Sequence, residues 1–237
     1  MNSKLQDFRP DGGKIRFTNT PDGFKIRYGV WSTGTMGTIF FLNGRTEYIE
    51  KYSDTISKFL KRQFSVVSLD WRSQGLSQRY FGRRDIGHIN DYKEYQTDLK
   101  TLMSLEEIKK LPKPFVLVSH SMGGLIGLRA ISNKNHCFSA AIFSAPAWGA
   151  KMFENAVLNL IKGLAPVIKT PGIAKIKLYP GGKQPYVLMT SAKENALTSD
   201  EKQFKRLQSI VKAEPKLLVG PPTAVSYTHL TLPTKRI

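Results

Sequence analysis

The chain has one cysteine, Cys137, in 237 residues. An intrachain disulfide is therefore excluded. Its place just before the apolar run FSAAIFSAP predicts a buried small hydrophobe. No run approaches the roughly 18 apolar residues that a membrane span needs. Residues 1–13, MNSKLQDFRPDGG, hold no apolar stretch of the secretory kind, so the cytoplasm is the expected location. Acids are scarce, 18 against 36 Lys and Arg, which leaves a formal net charge of +18. That surplus suits an anionic partner such as nucleic acid or an anionic membrane surface. A Lys-rich surface with no specific partner explains it equally well. No internal repeat is found. At 41% hydrophobic and 23% charged, the chain can hold one domain with a sizeable core, or a core and a small cap.

The pattern of apolar residues organises the first 145 positions. KIRFTN and FKIRYGVW flank the turn sequence TPDG and predict a hairpin. TIFFL and FSVVSL are short continuous apolar runs, as expected of strands buried on both faces. Between them Ile49, Tyr52, Ile56, Phe59 and Leu60 recur at helical spacing. After the polar loop DWRSQGLSQRYFGRRDIGHIN, Asp91 and Glu94 have the spacing of a capping box. The helix they start carries Tyr92, Tyr95, Leu99 and Leu102 on one face. FVLVS is a further strand, MGGLIGLRAIS a helix and FSAAIFSA the sixth strand. Strand–helix alternation of this kind predicts an α/β fold, a mostly parallel sheet with helices on both faces. Chemistry then gathers at the C-terminal ends of the strands.

From Pro146 the pattern changes. Met152, Phe153, Ala156, Val157, Leu160, Ile161 and Leu164 predict an apolar helix. A Pro-, Gly- and Lys-rich stretch follows, and then a second helix near Asp200 to Val211. This reads as an inserted lid. The expected organisation is a core over 1–145 and a lid over 146–223.

The turn between FVLVS and MGGLIGLRA carries the chemistry. VSHSMGG has the form small-x-Ser-x-Gly, with Ser121 as the exposed residue of a sharp strand-to-helix turn. Its neighbours Ser119 and Gly123 must be small, because the turn brings them close together. Ser119 stands where glycine is usual, with some crowding expected. The following helix directs backbone N–H groups at an oxyanion developing on a carbonyl attacked by Ser121. The Met122 N–H is one donor. The second should come from the loop after the third strand, LNGRTEYIEKY. There Gly44 lets the backbone approach and the Arg45 N–H is the natural partner. His120, next to Ser121, is expected to be a packed neighbour.

Three segments carry a family resemblance: LNGRTEYIEKY, SLDWRSQGLSQR, and VSHSMGG with FSAPAW downstream. ENALTSDEKQFKRLQSIVKAEPKLLVGPPT resembles the cap segment of the same group. Over most of residues 10–223 the chain resembles α/β-hydrolases of the lysophospholipase L2 and monoacylglycerol-lipase-like group, which are also classed with serine aminopeptidases. The resemblance implies a serine hydrolase acting on glycerolipid esters, with no metal and no cofactor. It implies Ser121 as nucleophile and the backbones of Arg45 and Met122 as oxyanion donors. Asn43 stands where many such enzymes have histidine.

A serine nucleophile needs a general base, and the base needs a carboxylate to orient it. In α/β-hydrolases these follow the serine in chain order. Of four histidines, His88 precedes Ser121. His136 lies before the sixth strand, at the wrong end of the sheet. Only His229 comes late enough, and it falls in AVSYTHLTLPTKRI. Residues 224–234 match a reverse-complemented sequencing adapter read in frame, so 224–237 is expected to be a non-native tail. The last strands of the sheet, with the catalytic acid and base, are then expected to be absent. Asp200 is better explained as a helix N-cap.

From Lys151 to Lys183 six lysines and one acid lie among apolar residues, as suits a lid meeting an anionic lipid surface. A lid with a merely solvated basic face fits as well. The Arg-bearing loop from Trp71 to Arg84 is expected to extend the same surface. No nucleic-acid recognition motif accompanies the charge. The expected activity is cleavage of lysophospholipids or monoacylglycerols by a cytoplasmic protein peripheral on the inner membrane. A small-ester carboxylesterase or aminopeptidase of the same fold is the rival enzyme. A hydrolase fold used only for binding is the rival of another class. Head-group preference, acyl length and oligomeric state are not written in the sequence.

Overall fold

The computed structural model describes residues 3–148, 186–223 and 226. β1 (Lys14–Asn19) and β2 (Lys25–Trp31) form the expected hairpin, Lys14 opposite Val30. β2 pairs antiparallel with β4 (Ser65–Asp70), and β4 pairs parallel with β3 (Thr38–Leu42). β3 pairs parallel with β5 (Phe115–His120), and β5 with β6 (Phe138–Ser144). The sheet order is β1-β2-β4-β3-β5-β6. It is the mostly parallel sheet that the strand–helix alternation predicts.

Alternation along each strand feeds two cores. Phe40, Leu42, Val67, Leu69 and Leu117 face α2 (Lys93–Ser104) and α4 (Met122–Ile131), meeting Tyr95, Leu99, Leu102, Leu125 and Ile126. Ile39, Phe41, Val66 and Val118 face the other way, onto Ile49 and onto Ile56 of α1 (Ser53–Lys61). Helices therefore cover both faces. The helix predicted from Ile49 starts as a 3₁₀ turn, Ile49–Tyr52, before α1. The short α3 (Glu106–Lys109) closes the α2 connection.

The capping box at α2 is displaced. Asp91 Oδ1 accepts from the Lys93 N–H at 2.8 Å, and Glu94 Oε2 accepts from the Asn90 N–H at 3.2 Å. The two side chains still cap the entry, but not reciprocally. Beyond β6, α5 (Tyr186–Met189) and α6 (Glu201–Ala213) are described. Asp200 caps α6 as expected, accepting from the Gln203 N–H at 3.1 Å. α6 buries Phe204, Leu207, Ile210 and Val211. The last two pack with Leu5, Tyr48 and Leu217. The apolar lid helix expected near 152–164, the lysines of 151–183 and His229 lie outside the described residues.

Cys137 is exposed, contrary to the expectation of burial. It sits in the turn ahead of β6, which is the sheet's edge among the described residues. β6 is itself only partly covered, with Ile142 56% exposed. The apolar run therefore does not signal burial here.

Candidate active site

The site is built on the loop that leaves β4, DWRSQGLS. Asp70 is fully buried and its carboxylate holds the loop shut. Oδ1 accepts from the Ile49 N–H at 3.0 Å, and Oδ2 from the Leu76 N–H and Arg27 Nη1 at 2.8 Å each. Arg27 also forks onto Glu50, equally buried. Burial works against the Arg27 charge, but Asp70 and Glu50 more than offset it and raise its pKa. Ser77 Oγ donates to the Asp70 carbonyl at 2.5 Å and accepts from the Arg27 N–H at 2.8 Å. Gly75, at φ +50°, turns where a Cβ would lie 2.2 Å from the Asp70 carboxylate. The physical content of the motif is thus an internal carboxylate that receives the backbone of its own turn.

Two arginines of this loop, Arg72 and Arg79, do not reach the surface, whereas Arg83 and Arg84 are exposed, so only part of its charge is available to a basic face. Arg72 is fully buried. It bonds Asp98 through Nε and Nη2, at 2.8 and 2.7 Å, and Asp22 through Nη1 at 2.7 Å. Its guanidinium lies 5.0 Å from the centre of the Phe24 ring. Arg79 is buried as well and ends among carbonyls, with Nη2 2.8 Å from Gly75 O and 3.1 Å from Leu218 O. Burial and then the neighbouring Arg84 lower its pKa to about 10. Sequence periodicity sees such residues as polar positions and cannot tell an internal ion pair from a solvated one.

Arg79 belongs to a clasp on the chain that follows α6. Arg84 Nη1 donates to Lys216 O at 2.5 Å and Arg45 Nη2 to Gly220 O at 2.7 Å. Gly87 bridges Pro222. His88 is buried, its Nδ1 2.7 Å from Thr223 Oγ1 and its Nε2 3.0 Å from Asn90 Oδ1. Ser226 is the one described residue of the segment expected to be a non-native tail. It is buried, and its Oγ accepts from the Ile89 N–H at 2.8 Å.

Ser121 stands between β5 and α4 at φ +50°, ψ −119°. A non-glycine residue rarely occupies this region, and strain of this kind clusters at functional sites. Its N–H donates to Ser144 O at 3.1 Å and its carbonyl accepts from the Ala147 N–H at 3.0 Å, so β6 and its exit fix the turn. Both small neighbours are buried. A Cβ on Gly123 would stand 2.2 Å from Leu42 O. Ser119 fits in place of glycine because its Oγ donates to Ile142 O at 3.2 Å. Met122 opens α4, so its N–H has no acceptor in a preceding turn.

The loop after β3 meets this turn. A Cβ on Gly44 would lie 3.0 Å from Ser121 Cβ, so glycine permits the approach. Glu47 Oε2 accepts from the Gly44 N–H and, at 2.5 Å, from Tyr52 Oη. Glu47 Oε1 accepts from Lys51 Nζ at 2.5 Å and lies 3.6 Å from His120 Nε2. His120 is thus packed beside Glu47 and Tyr52, as expected of a neighbour. Asn43 is buried, its Nδ2 donating to Leu69 O at 2.8 Å. His136 lies at the N-terminal end of β6, as expected. The structure brings Ser121, Met122 and the Arg45 loop together, and among the described residues Ser121 Oγ has no hydrogen-bond partner. Among them no cluster of His, Cys, Asp or Glu could hold a metal ion. No helix among them is long and apolar enough to cross a membrane.

The sheet order and the strand–Ser121–helix turn define an α/β-hydrolase fold. Residues 34–224 match the family described as serine aminopeptidase, S33, and the chain belongs to that family. It is 27% identical over 196 residues to a probable lysophospholipase L2 of Haemophilus influenzae, covering 82% of this chain and 59% of that protein. It is 29% identical over 163 residues to a monoacylglycerol lipase of Mycolicibacterium smegmatis, covering 67% and 52%. The chain thus spans between half and three fifths of the length of these relatives. Among solved structures, a soluble variant of monoglyceride lipase from Saccharomyces cerevisiae superposes with a TM-score of 0.66 at 17% identity, covering 94% of this chain and 68% of that one.

Proposed function

We propose that the protein is a serine ester hydrolase whose substrates are lysophospholipids or monoacylglycerols. Ser121 Oγ attacks the ester carbonyl, the N–H groups of Arg45 and Met122 receive the oxyanion, and the alcohol leaves. Water then attacks the acyl-serine and releases the fatty acid. The observation that carries the reading is Ser121 itself, held at φ +50° at the head of α4 with Gly44 against its Cβ. The lysophospholipase and monoacylglycerol lipase relatives support the substrate class. Ester cleavage needs no metal or cofactor in this scheme. Basic lid residues would meet an anionic membrane surface.

The family description favours a second reading, hydrolysis of an aminoacyl amide. Glycerol monoesters of graded acyl length, set against aminoacyl amides, separate the two. A preference for amides sinks the lipid reading. A fluorophosphonate probe on the full-length gene product should label Ser121 and spare Ser121→Ala; no labelling favours a binding module. Turnover by the 237-residue chain itself is expected to be slight, because no base meets Ser121 Oγ among the described residues. Robust hydrolysis by this chain, lost on His88→Ala or His229→Ala, refutes that expectation.

A further inference from the structure

We propose that Gln74 is a positioning residue that sets the separation of the two oxyanion donors. The inference rests on the ester-hydrolase reading of Ser121. Gln74 is 2% exposed and sits between Ser73 at φ +62° and Gly75 at φ +50°. Its own backbone is tied down: the N–H donates to Trp71 O at 2.9 Å, and the carbonyl accepts from the Ser77 N–H at 3.1 Å. The side chain then spans two loops. Oε1 accepts from the Thr46 N–H at 2.5 Å, and Nε2 lies 3.9 Å from Met122 Sδ. The amide cannot be reversed, because Nε2 would then face the Thr46 N–H, donor against donor.

What Gln74 holds is strained. Thr46 is β-branched and sits at φ +63°, a conformation that persists only where its surroundings enforce it. Thr46 directly follows Arg45. On the other side of Arg45, the Gly44 N–H is taken by Glu47. The peptide groups flanking the Arg45 donor are thus each fixed by a buried side chain, and Gln74 alone of the two also touches Met122. Loss of Gln74 frees Thr46 to relax toward negative φ, which rotates the chain at Arg45 relative to α4. Oxyanion stabilisation depends on donors placed to a few tenths of an ångström, whereas ground-state binding of the acyl chain does not.

The test uses the full-length gene product with p-nitrophenyl butyrate as substrate. Gln74→Met keeps the length of the side chain and removes both contacts. It should lower kcat about 10- to 100-fold, with KM held within about 3-fold. A trifluoromethyl ketone, whose hemiketal oxyanion occupies the same donors, should bind more weakly by a similar factor. Met122→Leu removes only the sulfur contact and should cost less. Added to Gln74→Met it should cost nothing further, since the contact is already gone. Unchanged kcat and inhibitor affinity, a rise in KM alone, or fully multiplicative losses overturn the inference while leaving the ester-hydrolase reading in place. A wild-type protein that neither labels at Ser121 nor turns over ester overturns both. Should Gln74→Met not fold, Gln74→Glu is read in its place. It keeps the acceptor for Thr46 and loses only the Met122 donor, so its kcat should fall no further than that of Met122→Leu with KM unchanged, and a fall as large as the one stated for Gln74→Met overturns the inference.

Discussion

Replacing Gly75 by alanine tests the account of the DWRSQGLS turn. Two costs arise. The residue sits at φ +50°, where an L side chain costs about 1–2 kcal/mol. The new Cβ would lie 2.2 Å from both Cγ and Oδ2 of Asp70, and 2.8 Å from its Cβ. Asp70 cannot swing aside, since it is fully buried and holds Arg27 and the Ile49 and Leu76 N–H groups. Overpacking against such a group adds about 1–3 kcal/mol. Gly23 is the matched control: it lies at φ +78° with nothing within 4 Å of an added Cβ. Gly23→Ala carries the conformational cost alone. In a chain of this size about 1–3 kcal/mol corresponds to a Tm difference of roughly 3–10 °C. Thermal unfolding of the two variants, followed by circular dichroism at one scan rate, measures it. Equal Tm values for Gly75→Ala and Gly23→Ala would falsify the claim that the Asp70 carboxylate adds to the turn conformation in dictating glycine at 75.

Other outcomes follow from the buried charges and the clasp. Glu50→Gln removes one of the two carboxylates that neutralise Arg27. It should lower the unfolding free energy by about 3–5 kcal/mol, read as a fall in the urea midpoint. Arg72, and then burial acting the other way, set the Asp22 carboxyl, whose pKa is lowered on balance. Its contribution is present above the ordinary carboxylate range and lost as pH falls through the folded pKa. Asp22→Asn should therefore flatten the acid limb of the stability curve below about pH 4, in urea titrations at stepped pH. His88→Ala deletes the bond to Thr223 and leaves a buried gap. It should cost about 2–4 kcal/mol and speed tryptic cleavage after Lys216, and a cleavage rate equal to wild type would contradict the clasp.

The hairpin, the buried strands and the elbow were legible in the sequence because each depends on local chemistry. Pro-Asp-Gly makes a turn, continuous apolar runs fit a two-faced sheet, and small residues must flank Ser121. The helix bearing Tyr92, Tyr95, Leu99 and Leu102 was legible for the same reason, and all four are buried. What escaped depends on partners far along the chain. Arg72 meets Asp22 and Asp98, 50 and 26 positions away, so its charge reads as surface. Glu47 and Gln74 look like ordinary polar loop residues, and only their contacts with Gly44, Thr46 and Met122 mark them. Gly75 in the polar loop was a usable signal for a tight turn next to Gln74, though not for what the side chain grips. Cys137 was misjudged because an apolar run at the edge of a sheet resembles one at its centre. Ser121, Arg45 and Met122 stand out in the sequence only as residue types in a motif, and the structure adds the backbone geometry of the turn that carries Ser121.

The clasp sets a timetable for synthesis. Loop residues 79–88 take partners at Lys216, Leu218 and Thr223, up to 139 positions later. On a ribosome adding about 5–20 residues per second, the wait from His88 to Thr223 is roughly 7–30 s. Throughout that interval the β4 exit loop exists in the cell with its arginines lacking these partners. The clasp therefore cannot close until residue 223 clears the exit tunnel.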